Sequence, residues 1–433
     1  MGIRFLSTKN RAPHLGPYPL EKLRRSHTQP DLNAVPPTDS LNFHNLETPH
    51  SLVNAMSDYQ AMMDVIRAGD VNPEPATVPT DPTERAQHLK AFAYFQDASM
   101  VGICRLTQDA VLDVPTLNRD IDRLSNDLRT RQTKSLASGI DEIMAGLRES
   151  VERPQTSIKN HTYALVILDE YMRSPRAQER GAEWIMSAQA HRSALRTTET
   201  AIILSNYLAT LGFEAKAHTA TSADVDANRL AAAAGLATME DGSLCAPWLG
   251  TAFGLAVVTT NMDLTPDQPL APWAEQPWNL THGPGWQLGG RTVKNGLNRD
   301  PYAKRDYVMG AHPFETLRRV DRPTTFIDEE RVARVPKRAD MFARAQFGDM
   351  GKKNQKNALG GYYVRKSAPA NAQRRALGAF LLLQDGAPET RKTPQSDAQR
   401  NAENVKAAAY FLGVDAVGIS RCPDWTWYSH DAT

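Results

Sequence analysis

Three cysteines in 433 residues are too few and too scattered for most cysteine chemistry. Cys104, Cys245 and Cys422 form no CxxC pair, and none has a histidine at zinc-finger spacing. A cysteine-ligated iron–sulfur cluster takes four thiolates, which this chain does not supply unaided. Such low cysteine usage fits a reducing compartment better than a disulfide scaffold. Long apolar runs are also missing, since no stretch approaches the ~18 residues needed to span a bilayer. The first 22 residues are polar and punctuated by proline, unlike a charged end followed by an apolar stretch. Arg24-Arg25 precedes Ser26-His27-Thr28-Gln29-Pro30, where a twin-arginine export signal needs an apolar segment. A soluble, cytoplasmic chain with no membrane partner is expected. Net charge is nearly absent as well: 50 basic against 49 acidic residues give +1, so a nucleic-acid partner is not expected. The motifs GxSxG, HExxH, GxGxxG and GxxxxGK[ST] do not occur.

What is present is the composition of a folded protein. Hydrophobic residues make up 41% and charged residues 23%, which excludes a disordered chain, a collagen-like repeat and a coiled-coil rod. Residues 1–50 read as an irregular arm laid over a domain surface, 51–69 as a short helix, and the proline-rich 71–82 as a linker. From about 81 to 262, helical spacing alternates with strand-like runs. Helices are expected at 83–95, 117–151, 187–211 and 224–234, the last two closed by Gly212 and Gly235. Strands are expected at 100–104, 163–168, 213–218 and 252–262. Helices alternating with short apolar strands indicate a mixed α/β domain. Beyond Asp263 a long Pro- and Trp-rich excursion loses periodicity. Within it, 331–375 carries twelve Lys or Arg against Asp340 and Asp349. That stretch is either a solvated loop or a site for phosphate, an acidic partner domain or nucleic acid.

An internal repeat is the most informative feature. Residues 90–105 read KAFAYFQDASMVGICR and residues 406–421 read KAAAYFLGVDAVGISR, with nine of sixteen positions identical at a constant offset of 316. Chance likeness of Ala-rich helices is the alternative, but it does not readily account for the shared succession of helix, turn and VGI strand. A duplication follows, with the second copy only begun: one helix and one strand bury too little to stand alone. The end docks on the first domain, or the polypeptide is the front part of a longer protein, and the latter is expected.

The candidate chemical groups have plain alternatives. His161, His191, His218 and His282 have no partner carboxylate or cysteine at ligand spacing and read as structural. Glu199, Asp224 and Asp226 read as helix-surface or capping residues. Met56, Met62 and Met63 read as packing residues. The densest cluster is Cys422-Pro423-Asp424-Trp425-Thr426-Trp427-Tyr428-Ser429-His430-Asp431. A Tyr hydroxyl flanked by Trp is either a proton donor in an apolar pocket or part of an aromatic segment packed on a core.

The strings NYLATLGFEAKAH (206–218) and LAAAAGLATMEDGSLCAPWLGTAFGLAVVTTNMDLTPDQPL (230–270), with the two AYF…VGI strings, resemble the soluble, non-respiratory cobalamin-dependent reductive dehalogenases. Ala237 replaces the family's second Gly, and Asn261-Met262-Asp263 stands where Thr-Asp is usual. The resemblance covers about 80–270 and resumes at 396–433. It implies an α/β (α+β) fold, a mixed sheet flanked by helices, built as a degenerate cobalamin-domain-like first copy and the start of a second. It divides the chain into an arm and linker (1–80), the degenerate domain with its basic excursion (81–395) and the truncated copy (396–433). It implies a complete enzyme that removes halide from halogenated aromatic compounds with cobalamin and two four-iron four-sulfur clusters. It places Tyr428 as proton donor, and no cofactor-binding or metal residue in this chain, which is expected to be inactive alone. Its expected partners are the substrate, an electron donor, and a second copy or a cluster-bearing chain. Two other readings remain: a non-catalytic partner-binding or dimerisation module, and, with no flavin motif behind it, a flavin-dependent reductase.

Overall fold

The computed structural model describes residues 11–130, 149, 152, 156–278, 314–321, 324–358 and 397–431. Its helices are α1 (Leu52–Val65), α2 (Pro82–Phe95), α3 (Asp120–Thr130), α4 (Gln189–Thr210), α5 (Ala227–Ala233), α6 (Met341–Gln346), α7 (Lys352–Ala358) and α8 (Ala398–Phe411). Its strands are β1 (Met100–Arg105), β2 (Val111–Thr116), β3 (Tyr163–Glu170), β4 (Ala215–His218), β5 (Ala223–Val225), β6 (Thr238–Glu240), β7 (Ser243–Cys245) and β8 (Phe253–Thr260).

The central sheet has the order β1-β3-β8-β4. β3 is the apolar run YALVILDE, buried along its whole length, as a strand covered on both faces must be. It pairs with β1 from Met100↔Leu168 to Arg105↔Tyr163, and with β8 from Tyr163↔Thr260 to Glu170↔Phe253. Each described pairing in this sheet is antiparallel, as β4 with β8 also is. The mixed α/β character is thus as expected, but a mixed sheet is not: strand periodicity reveals which faces are buried and carries no information on strand direction.

Alternation along the strands divides the core. Val101, Ile103, Leu165, Ile167, Ala256 and Val258 face one side, where Met62 and Met63 of α1, Leu89 and Ala93 of α2 and Ile202 and Leu204 of α4 cover them. Cys104, Ala164, Val166, Leu168 and Val257 face the other, under Leu230 and Ala231 of α5 and under Tyr18, Leu20, Leu23 and Val35 of the arm. The arm is therefore part of the core. Its Tyr18 hydroxyl donates to the buried Glu170 carboxylate, and Arg25 donates to the carbonyls of Gly235 and Gln268. Gly212 and Gly235 both sit at positive φ, as the helix ends after α4 and α5 require. Met56 is buried in a third cluster with Phe43, Ile185 and Leu195, and this cluster also receives Tyr410 and Phe411 of α8.

Four strands of the described residues, β2, β5, β6 and β7, escape the sequence reading. β2 pairs with β5, and β6 and β7 form a hairpin across Asp241-Gly242, both at positive φ as a two-residue primed turn needs. The helix expected at 117–151 is seen as α3, and 131–148 lies outside the described residues.

The two repeat segments share local geometry position by position. Asp81 caps α2 and Asp397 caps α8, each through its side chain. The Tyr94 hydroxyl accepts from the Val101 amide at 3.0 Å, and that of Tyr410 accepts from the Val417 amide at 3.3 Å. Ala98 N–H donates to Ala93 O, and Val414 N–H to Ala409 O, both at 3.1 Å. Asp97 and Gly413 both take positive φ. The strands differ: β1 lies in the sheet, whereas 416–421 has no ladder partner among the described residues and exposes Ile419. α8 is fastened to the first unit by Arg180–Glu403, by Arg400 and Asn404 on Glu183, and by Arg192 donating to the Phe411 carbonyl.

Candidate active site

Tyr428 lies in the tail that follows α8, on a platform made by residues 334–349. Pro336 starts a single 3-10 turn (Lys337–Ala339), and Asp340 caps α6 by accepting from the amides of Phe342 at 2.8 Å and Ala343 at 3.4 Å. The other oxygen of that carboxylate accepts from the Tyr428 hydroxyl at 3.1 Å. The bond to an anion holds the phenol above its ordinary titration range. The cap amides, in turn, hold the Asp340 carboxyl below its ordinary range, with the tyrosine hydroxyl adding to the effect.

Main-chain contacts flank the ring. Arg334 donates to the carbonyls of Trp427 and Tyr428, Ser429 N–H donates to Val335 O at 2.9 Å, and Lys337 N–H donates to His430 O at 3.0 Å. Trp427 is 59% and Tyr428 44% exposed. Among the described residues, neither an apolar pocket nor a core surrounds Tyr428. A carboxylate and a line of main-chain hydrogen bonds hold the segment instead.

The basic stretch around this platform is engaged locally. Arg338 forms a bidentate pair with Asp349 at 2.6 and 2.7 Å and stacks over Phe347, and Lys337 lies 3.9 Å from Asp431. A depression of about 520 Å³ beside it is lined by Pro336, Arg338, Ala339, Arg344 and Asp349. It is an open surface hollow rather than an enclosed cavity. Among the described residues no group of three or more His, Cys, Asp or Glu is placed to hold a metal ion, and no helix is long and apolar enough to cross a membrane.

Other titratable residues meet in ways the sequence spacing hides. His218 Nδ1 accepts from the Asp224 amide at 3.1 Å, so its ring proton sits on Nε2 and donates to Thr259 Oγ1 at 2.8 Å. Thr259 then donates to His161 Nδ1 at 2.7 Å. Burial lowers both imidazoles, His161 to about 4. His161 and His218 are thus both held by hydrogen bonds to Thr259 of β8, and His191 Nε2 bonds to Asn42 O at 2.8 Å; His282 lies outside the described residues. Asp226 is the cap of α5. Asp224 is not a helix-surface residue: it is buried in an ion pair with Lys216 at 2.5 Å, because β4 and β5 fold back on each other. Glu199 is largely covered, and burial raises its carboxyl.

No protein-family model matches the chain, and no curated protein does. Solved structures do. The catabolic reductive dehalogenase NpRdhA is 35% identical, with a TM-score of 0.75 over 98% of this chain and 54% of that one. Its complex with 3-bromo-4-hydroxybenzoic acid matches equally. A reductive dehalogenase structure described as suggesting a mechanism for B12-dependent dehalogenation is 34% identical at the same TM-score and coverage. The chain spans about half the length of these proteins. Matched along nearly all of its own residues, it belongs to the reductive dehalogenase family.

Proposed function

We propose that this chain is the N-terminal part of a reductive dehalogenase that removes halide from halogenated aromatic compounds. The likeness to NpRdhA over 98% of the chain carries this reading. The aromatic substrate follows from the bromo-hydroxybenzoic acid complex of that relative. In the net reaction a carbon–halogen bond gives way to a carbon–hydrogen bond. An electron pair enters, halide leaves, and Tyr428 gives the proton, its phenolate recovering one from water. A phenol with pKa ~10 is protonated at neutral pH, and the bond to Asp340 strengthens that state. Cobalamin, two four-iron four-sulfur clusters and the contact with an electron donor fall to parts of the enzyme outside this chain's residues. The enzyme is cytoplasmic in this reading.

Duplication is part of the proposal. Matched caps, matched Tyr–Val hydrogen bonds and matched positive-φ residues at the same 316-residue offset support a degenerate first copy at 81–395, behind the arm and linker of 1–80. They likewise support a second copy begun at 396–433, whose extended 416–421 corresponds to β1.

Two measurements test the reading. In the complete, cofactor-loaded enzyme, Tyr428→Phe is expected to slow halide release by about 10²–10⁴-fold, the usual worth of a general acid; undiminished release removes Tyr428 from the chemistry. The mass of the native polypeptide in its source cells is expected to exceed 47.9 kDa. A product ending at Thr433 would leave the partner-binding or dimerisation module as the better reading.

A further inference from the structure

We propose that residues 334–340 form a saddle that positions the Tyr428 hydroxyl, with Asp340 as the positioning residue. The inference rests on the proton-donor reading of Tyr428 and adds the group that aims it.

Three observations carry it. First, the Asp340 carboxylate is anchored before it meets the phenol, since one oxygen is spent on the α6 cap amides and only the other faces Tyr428. A carboxylate fixed to a helix start is a stiffer acceptor than one on a free side chain. Second, the tail is gripped on both sides of the ring, by Arg334 at the Trp427 and Tyr428 carbonyls and by the Ser429 and Lys337 amide bonds beyond it. These bonds set the Cα position of Tyr428, and Asp340 then sets the direction of its side chain. Third, the charged groups around the pair are themselves paired. Lys337 lies near Asp431, and Arg338 is held by Asp349 and Phe347. Within the stretch that reads in sequence as a basic run, Arg334 and Lys337 thus hold the tail, and Arg338 is paired inside the platform.

The geometry also states what the saddle does in turnover. The phenol proton points at Asp340 in the resting arrangement, so the hydroxyl rotates about its C–O bond to reach a substrate carbon, and the carboxylate receives it again once water has reprotonated the phenolate. No covalent bond to Asp340 is formed or broken.

The test uses the 433-residue chain labelled with ¹³Cζ-tyrosine, the Tyr428 resonance being assigned by its loss in Tyr428→Phe. In the parent chain this resonance is expected to titrate above the ordinary ~10 of a phenol. Asp340→Asn and Asp340→Ser both keep an oxygen able to cap α6 while removing the anion, and each is expected to lower the midpoint by about half a pH unit or more. A midpoint that stays in place in either variant, with the Ser429 amide still protected from exchange, overturns the inference. Loss of Ser429 protection in the parent chain also overturns it, because the saddle would not exist in solution. Neither result touches the proton-donor reading, which stands or falls on Tyr428→Phe in the loaded enzyme.

Discussion

The two VGI segments offer a substitution with its own control. Gly102 lies in the middle of β1, and a Cβ built there would stand 2.6 Å from the Ala234 carbonyl oxygen and 3.0 Å from both Ala234 Cβ and Leu236 Cγ. Two of those three atoms belong to one residue of the α5 C-terminal turn, and the nearest is backbone, so relief needs a shift of helix against sheet. Overpacking of that kind costs about 1–3 kcal/mol, and a backbone obstacle puts Gly102→Ala near the top of the range. Loss of chain entropy in the unfolded state returns about 0.4–1 kcal/mol. The net is a destabilisation of about 2 kcal/mol. At Gly418, the same position of the second segment, a Cβ meets nothing within 4 Å. Gly418→Ala is therefore expected to fall within about 0.5 kcal/mol of the parent. Urea unfolding followed by tryptophan fluorescence reads both. With a slope near 3 kcal/mol/M, Gly102→Ala should lower the midpoint by about 0.7 M while Gly418→Ala leaves it in place. Equal stability of the Gly102 variant and the parent would refute the packing described for β1 against α5. Equal loss in both variants would refute the open setting of 416–421 and place a second packed strand there in solution.

Two further outcomes follow from buried charge. His161 is held neutral by burial, with its titration lowered to about 4 against 6.5 when unfolded. The unfolded chain therefore binds the extra proton between those values, so stability should fall as pH drops from 6.5 to 4, by as much as about 3 kcal/mol. A flat urea midpoint across that window would refute it, and His161→Gln should flatten the curve. Lys216, 2% exposed, supplies the ammonium against buried Asp224, with Arg67 4.0 Å away. Lys216→Met should cost about 3–5 kcal/mol by stranding that carboxylate, and adding Asp224→Asn should recover much of the loss. A Lys216→Met midpoint equal to the parent's would show the pair to be solvated.

Much of this architecture is legible in the sequence because its signals are local. A continuous apolar run such as 163–168 means a strand covered on both faces, and Gly212 and Gly235 mark helix ends because the backbone leaves each helix through a positive φ. The Met62–Met63 pair reads as core from its place on a helical stripe. Properties that depend on which distant segments meet are not legible. The direction of β3 against β8 is one. The meeting of His161 with His218 is another, since it happens through Thr259 on a third strand. Asp224 looks like a capping residue until β4 brings Lys216 beneath it. For Tyr428, the aromatic neighbours in sequence suggest an apolar setting, whereas the group that touches its hydroxyl lies 88 positions earlier, at Asp340.

The strap made by the N-terminal arm has a consequence for biosynthesis. Arg25 finds its carbonyl partner on Gln268 243 positions later, and the Arg24 amide finds Gln276 at a separation of 252. At roughly 5–20 residues per second, about 10–50 s pass on the ribosome between emergence of the arm and emergence of its seat. Until β1, β3 and α5 emerge, Tyr18, Leu20 and Leu23 lack the surface they cover, and β3, apolar on both faces, waits for β8. The nascent chain thus carries two sticky segments whose mutual protection is completed by the same late stretch around 253–276. Docking of the arm is therefore complete only once the segment around 268–276 has emerged.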